Sequence, residues 1–284
     1  MSSIARGVSD TGVLRPDRLP TFARLVAPDA VSVVLGHVWI PEWDLPGGVV
    51  LTQSVLAHPA TNVVIQPGGS VVAGAGTRAS TRDLAGRGWA VGLLLRPAGV
   101  EVLGLDPRPL VDAELPVGAR LGRTRGAGPV RDVGLPGFEA VEAEVVALMS
   151  AAGGGPGRHA RVLDAVVAWL TSLPEPSDAG LRANDLADLV EHDASVTTVE
   201  ALAARLGVSA RTTERLARRY VGTSPGAMVR RRRLQRAAAR LREDPALALA
   251  TVAAETGYSD QAHFTRDFRA VVGSTPSRYR AALG

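Results

Sequence analysis

One helical phrase occurs twice in this chain of 284 residues, first as "LAARLGVSARTTERLARRYVGTSP" and again as "VAAETGYSDQAHFTRDFRAVVGSTP". In the first copy Leu202, Ala203, Leu206 and Val208 surround Gly207, and Ser209 precedes the run "ARTTERLARRY". A small residue four positions before a glycine lets two helices approach closely. The glycine supplies the left-handed turn between them, and Ser209 caps the second helix. The second copy carries Val252, Ala253, Gly257, Tyr258 and Ser259 ahead of "DQAHFTRDFRAVV". The matching Ala and Ser positions lie 50 residues apart, whereas the closing tails, Gly222-Thr223-Ser224-Pro225 and Gly273-Ser274-Thr275-Pro276, lie 51 apart. Two units are too few for a helical solenoid, which needs about three, and each has the geometry of a helix-turn-helix.

Between the copies "SPGAMVRRRRLQRAAARLRED" sets Met228, Leu234, Ala238 and Leu241 near one stripe, so a single helix joins the units and stops at Pro245. Recognition helices held by a stiff rod reach consecutive major grooves, about 34 Å apart on B-DNA. Charge agrees with such a partner. From Val199 onward there are 16 Arg against 7 acids, and before it 16 Arg against 21 acids. A basic terminal domain points to a polyanion, nucleic acid before membrane, because its helices lack strong amphipathicity with aromatic anchors. No apolar run approaches the roughly 18 to 20 residues of a membrane span.

The front half has a different texture. Residues 1–20 mix charge, Gly and Pro without an apolar core and are expected to be a disordered tail rather than a secretory signal. The runs "VSVVLGHVWI", "GGVVLTQSVLA", "TNVVIQPGGSVV", "WAVGLLLRPAG" and "VEVLGL" all suggest strands. The clearest hairpin spans Asn62 to Val72 around Pro67-Gly68-Gly69-Ser70. A β-rich domain of sandwich or barrel type, residues 21–135, is therefore expected, acting in sensing or dimerisation. Two helices follow at 136–173, one with Phe138, Val141, Val145, Leu148 and Met149 on its apolar face, the other with Val162, Val166, Trp169 and Leu170. "PEPSDAG", within 174–181, suggests a linker. Residues 182–284 then form an all-α domain, so the fold class is α+β.

Catalytic constellations are sparse. Cysteine is absent, which removes disulfides, thiolate nucleophiles and Cys-ligated zinc and fits a cytoplasmic protein. His37, His58, His159, His192 and His263 show no metal-binding spacing, so no metal and no cofactor are expected. Glu42 and Asp44 in "PEWDLP" form an acid pair or belong to a packed turn. Trp39, Trp43 and Trp89 line an effector pocket or fill a core. The alternative to a regulator is a β-barrel enzyme or small-ligand carrier fused to a DNA-tethering module, and turnover of a bound molecule would favour it.

"LAARLGVSARTTERL", "GTSPGAMVRRRRLQRAAARL" and "VAAETGYSDQAHFTRDFRAVVGSTPSRYR" together resemble the DNA-binding domain of the AraC family of bacterial transcription regulators, over roughly residues 182–280. The resemblance implies sequence-specific binding of double-stranded DNA by two recognition helices and regulation of transcription. It also implies a small-molecule effector, a homodimer and RNA polymerase as partners. Ala217 departs from the family, which places an aromatic core residue there, so looser packing of the first unit is expected. "HVWIPEWDLPGG", "LAHPATNVVI" and "GWAVGLLLRPAG" are similar to a poorly characterised β-rich domain found ahead of such regulators.

Helical spacing puts Arg211, Thr212, Glu214 and Arg215 on the exposed side of the first reader. Arg211 and Arg215 suit guanine edges, and Glu214 suits cytosine N4 or the orienting of an arginine. Arg218 and Arg219 suit phosphates. In the second reader Gln261 suits adenine, Ala262 a thymine methyl, and Arg266 guanine or phosphate, while His263 meets phosphate, a neighbour or a base. The resemblance makes Arg233 structural, which leaves Arg231 and Arg232 as phosphate partners that position without specifying.

Overall fold

The computed structural model describes residues 21–55, 60–118, 133–151 and 154–282, so the tail expected at 1–20 lies outside the described residues. Its front half contains strands β1 (Thr21–Val26), β2 (Leu35–Asp44), β3 (Val50–Val55), β4 (Asn62–Ile65), β5 (Val71–Ala73), β6 (Ser80–Ala85), β7 (Arg87–Trp89), β8 (Val91–Leu95) and β9 (Glu114–Pro116). Helix α1 (Pro97–Val102) precedes β9, and α2 (Phe138–Ser150) and α3 (Pro156–Thr171) follow it. Seven strands form one antiparallel sheet in the order β1-β2-β8-β4-β5-β9, with β7 also on β2, while β3 and β6 make a separate two-stranded ribbon.

The expected hairpin is β4–β5, with Val63 opposite Val72 and Gly68 and Gly69 at φ 90° and 126°. Such angles place few side chains, which is why the turn is written in glycine. Val63 and Val72 of this hairpin and Val38, Ile40, Leu93 and Leu95 of β2 and β8 share one core with Phe138, Val145, Val162 and Val166. The two helices are thus the covering layer of the sheet, as an apolar sheet face requires. Phe138 and Trp169 meet edge to face at 5.3 Å between ring centroids, and the indole N–H donates to the Pro136 carbonyl at 2.8 Å. Of the three front tryptophans, Trp89 belongs to the core. Trp39 and Trp43 lie over their cross-strand partners Gly92 and Gly88, positions where any side chain would collide with the indole. Glu42 accepts from Arg158 and, at 2.8 Å, from His159, which fastens α3 to β2 and pulls its carboxyl below the ordinary range despite partial desolvation.

Two readings change here. "VEVLGL" is not a strand: Arg96 is extended, Pro97 starts a helix at its first position, and α1 runs to Val102. The linker ends sooner than expected, because Ser177 caps α4 (Asp178–His192) by accepting from Gly180 N at 3.1 Å. Asn184 of α4 then accepts from Ala98 N and donates to Val33 O, which seats the helix against the front half. Strands β1, β6, β7 and β9 have mostly half-exposed or exposed residues and give little apolar signal.

The remaining helices are α5 (Val199–Leu206), α6 (Ala210–Tyr220), α7 (Pro225–Glu243), α8 (Leu249–Glu255), α9 (Gln261–Val272) and α10 (Pro276–Ala281). The 19 residues of α7 span about 28 Å. Leu202, Leu216, Ala217, Tyr220 and Met228 form the core of the first unit, and Phe264, Phe268, Tyr279, Leu234 and Leu241 that of the second. Phe268 stands 51 residues after Ala217, so the aromatic missing from the first unit is present in the second.

Front and rear halves are joined further by the segment 74–79, between β5 and β6. Ala75 is buried in the first unit's core, and Ala79 packs on the second unit's core and donates from its N–H to Val271 O at 2.7 Å. Gly76 O, between them, accepts from Arg231 of α7.

Candidate nucleic-acid interface

Each reader helix is started by a side-chain cap. In the first unit Gly207 adopts φ 65°, and Ser209 accepts from Thr212 N at 3.1 Å. In the second Gly257 adopts φ 81°, but the cap is Asp260, which accepts from His263 N at 2.7 Å. The one extra residue between glycine and cap accounts for the shift from 50-residue to 51-residue spacing. Helices α6 and α9 therefore correspond at an offset of 51, which sets Arg211 against Ala262, Thr212 against His263 and Arg215 against Arg266.

Arg211, Arg215, Arg218 and Arg219 are exposed, while Thr213, Leu216, Ala217 and Tyr220 turn inward. Thr212 is half-buried beside the cap, its hydroxyl 3.1 Å from that of Ser209. Glu214 is paired with Arg218 at 2.7 Å, and the Arg219 guanidinium lies 5.5 Å from the Tyr220 ring centroid. On α9, Gln261, Ala262, His263 and Arg266 are exposed, with Phe264 and Phe268 buried beneath them. His263 meets Tyr258 edge-on at 5.2 Å and lies 3.5 Å from Asp267, so neighbours within the unit occupy its ring. Arg269, the equivalent of Arg218, is exposed on the same helix and was not foreseen. The 51-residue spacing of the tails is the signal that finds it.

The arginine run of α7 divides differently from the expectation. Arg231 is 3% exposed, its Nη1 donates to Gly76 O, and burial brings its pKa down to about 10 against the pull of Asp112. Arg232 is half-buried, donating to Glu191 O at 2.9 Å and pairing with the Glu191 carboxylate at 3.1 Å. Neither is presented to a phosphate in this arrangement, because each already meets protein. Arg233 donates to Thr256 O and Gly257 O at 2.7 and 2.6 Å and lies 3.8 Å from the Tyr258 ring centroid. It thereby closes the carboxyl end of α8, where cations are favoured.

The first reader also faces the front half. A cleft of about 570 Å³ runs between residues 100–108 and α6, with Glu101, Asp106 and Arg108 on one wall and Arg215, Arg218, Arg219 and Tyr220 on the other. Tyr220 donates to Glu101 at 3.4 Å, and the same carboxylate accepts from Ser177 N and Oγ.

A helix-turn-helix domain model matches residues 202–282, and a model of a domain of unknown function (DUF6597) matches 24–116. No curated protein matches the chain. Among solved structures, one described as a probable AraC family transcriptional regulator from Rhodopseudomonas palustris is 30% identical over 36% of this chain and 96% of its own, with a TM-score of 0.32. The DNA-binding domain of AdpA, solved with a target DNA, is 32% identical over 36% of this chain and 91% of its own, with a TM-score of 0.32. ToxT from Vibrio cholerae aligns over 93% of this chain and 97% of its own, but at 9% identity and a TM-score of 0.41, values that carry no argument about the front half. The sequence identity of the first two, over nearly their whole lengths, and the helix-turn-helix match coincide in the region of the two capped readers: the chain belongs to the AraC family and is a DNA-binding transcription regulator.

Proposed function

We propose that the chain binds duplex DNA sequence-selectively by setting α6 and α9 into consecutive major grooves. Arg211 and Arg215 read guanine edges in one groove. Gln261, Ala262 and Arg266 read bases in the other. Thr212, Arg218, Arg219 and His263 take backbone contacts, and Glu214 holds Arg218 in place for one of them. The observation that carries this reading is the equivalence of the two readers: after matching caps, an exposed arginine recurs at the same helical position, Arg215 and Arg266. A small-molecule effector has room in the cleft between the front half and α6. A second copy of the chain and RNA polymerase complete the regulatory assembly, as the resemblance to the family implies.

The test is recovery of bound fragments from host genomic DNA by the purified full chain, followed by affinity measurements on the recovered and on random duplexes at fixed salt. Arg215→Ala and Arg266→Ala are each expected to lose about 1–3 kcal/mol on the recovered duplex and to relax preference at one base position. Equal losses on recovered and random duplexes would remove these side chains from the base readers.

A further inference from the structure

Gly76 and Thr77 of segment 74–79 help wall a cavity of about 50 Å³, with Thr223, Ala227, Arg230 and Arg231 on the other side. That volume is several times the roughly 10–15 Å³ that one water needs. The lining is rich in donors and poor in free acceptors. The buried Arg231 uses Nη1 on Gly76 O, while its Nε and Nη2 are buried without a partner. Asp112, the carboxylate that acts on Arg231, already accepts from Thr77 N and Thr77 Oγ1, both at 2.5 Å. Arg230 adds a second cation at the rim. Ala227 lies in the first turn of α7, where a helix dipole favours negative charge. A buried guanidinium with two idle nitrogens destabilises the interface unless an acceptor completes it.

We propose that this cavity binds a small free oxyanion of the phosphate or sulfate class, held by Nε and Nη2 of Arg231 and by Arg230 of α7 against segment 74–79 of the front half. Such an ion supplies both the missing acceptors and the missing charge, whereas water supplies only the acceptors. A phosphate of the DNA backbone offers the same chemistry, and a titration in the presence of duplex distinguishes the two sources. Occupancy then fastens the front half to both helix-turn-helix units, independently of which bases the readers contact.

The full chain, in a buffer free of phosphate and sulfate, is titrated with inorganic phosphate by calorimetry and thermal unfolding, with potassium chloride at matched ionic strength as reference. Expected are one saturable site and a rise in Tm of about 5 °C at a hundredfold excess over Kd. Arg231→Met abolishes the response, Arg230→Gln weakens it about tenfold, and Arg87→Gln on β7 leaves it unchanged. Should Arg231→Met not fold, Arg230→Gln decides in its place. A response matched by chloride, or one retained in Arg231→Met or unaltered in Arg230→Gln, overturns the proposal. The same titration with saturating duplex separates the two sources. Persistence of the phosphate response supports a free ion, and its loss assigns the donors to backbone phosphate and overturns the proposal.

Discussion

Arg231, Arg232 and Arg233 are consecutive, yet they meet three different surroundings, because successive helix positions turn by about 100°. One reaches the front half, one reaches Glu191 of α4, and one caps α8. Sequence alone requires that at least one of the run face protein, since four adjacent positions cover every direction of a helix. It does not show that only Arg230 of the four is exposed, because the partners come from segments with no pattern linking them to α7. Arg233 has the most exacting site, with two carbonyls and a ring around one planar cation. Arg233→Met is expected to destabilise the second unit by about 2 kcal/mol in urea unfolding. Arg233→Lys should not restore it, since an ammonium lacks the flat fork that spans two carbonyls.

At the scale of elements, the two helix-turn-helix units were legible because glycine, cap and apolar spacing all agree locally. The register of the second was less so: Ser259 aligns with Ser209, but Asp260 is the residue that caps. The β4–β5 hairpin was legible for the same reason as the units, from β-branched residues on either side of a glycine turn. The misread "VEVLGL" shows the opposite case, where an apolar run of six residues suits strand or helix equally and Pro97 decides. The cap makes a pH prediction. Accepting from His263 N, foremost, lowers the Asp260 pKa in the folded protein. The stabilisation is therefore present above the ordinary carboxylate range and is lost as pH falls through the lowered value. Asp260→Asn caps without charge. Wild type is expected to be the more stable at neutral pH, and the difference should vanish on acidification below that value, as followed by thermal unfolding across a pH series.

For the whole molecule, the joining of front and rear halves was not legible at all. Besides the α4 contacts of Asn184 and the Glu101 contacts of Ser177 and Tyr220, it is made by Gly, Ala and Thr of segment 74–79 and by backbone at Pro107 and Asp112, residues whose sequence pattern announces only a loop. Gly222 marks how close the halves come. It has φ 89°, and a Cβ there would sit 2.5 Å from Pro107 O. Gly222→Val is therefore expected to push the front half off the first unit. Hydrogen exchange should then show loss of protection at Ala79, whose N–H donates to Val271 O, with a lowered Tm. Unchanged protection at that amide would mean that the second unit alone holds the segment.

Because one short strap presses on the hearts of both reading modules, neither can be nudged without the other feeling it. A tug at the strap's β5 end is delivered to the pair as a single load, so grip on the two halves of an operator should strengthen and slacken in unison rather than one after the other.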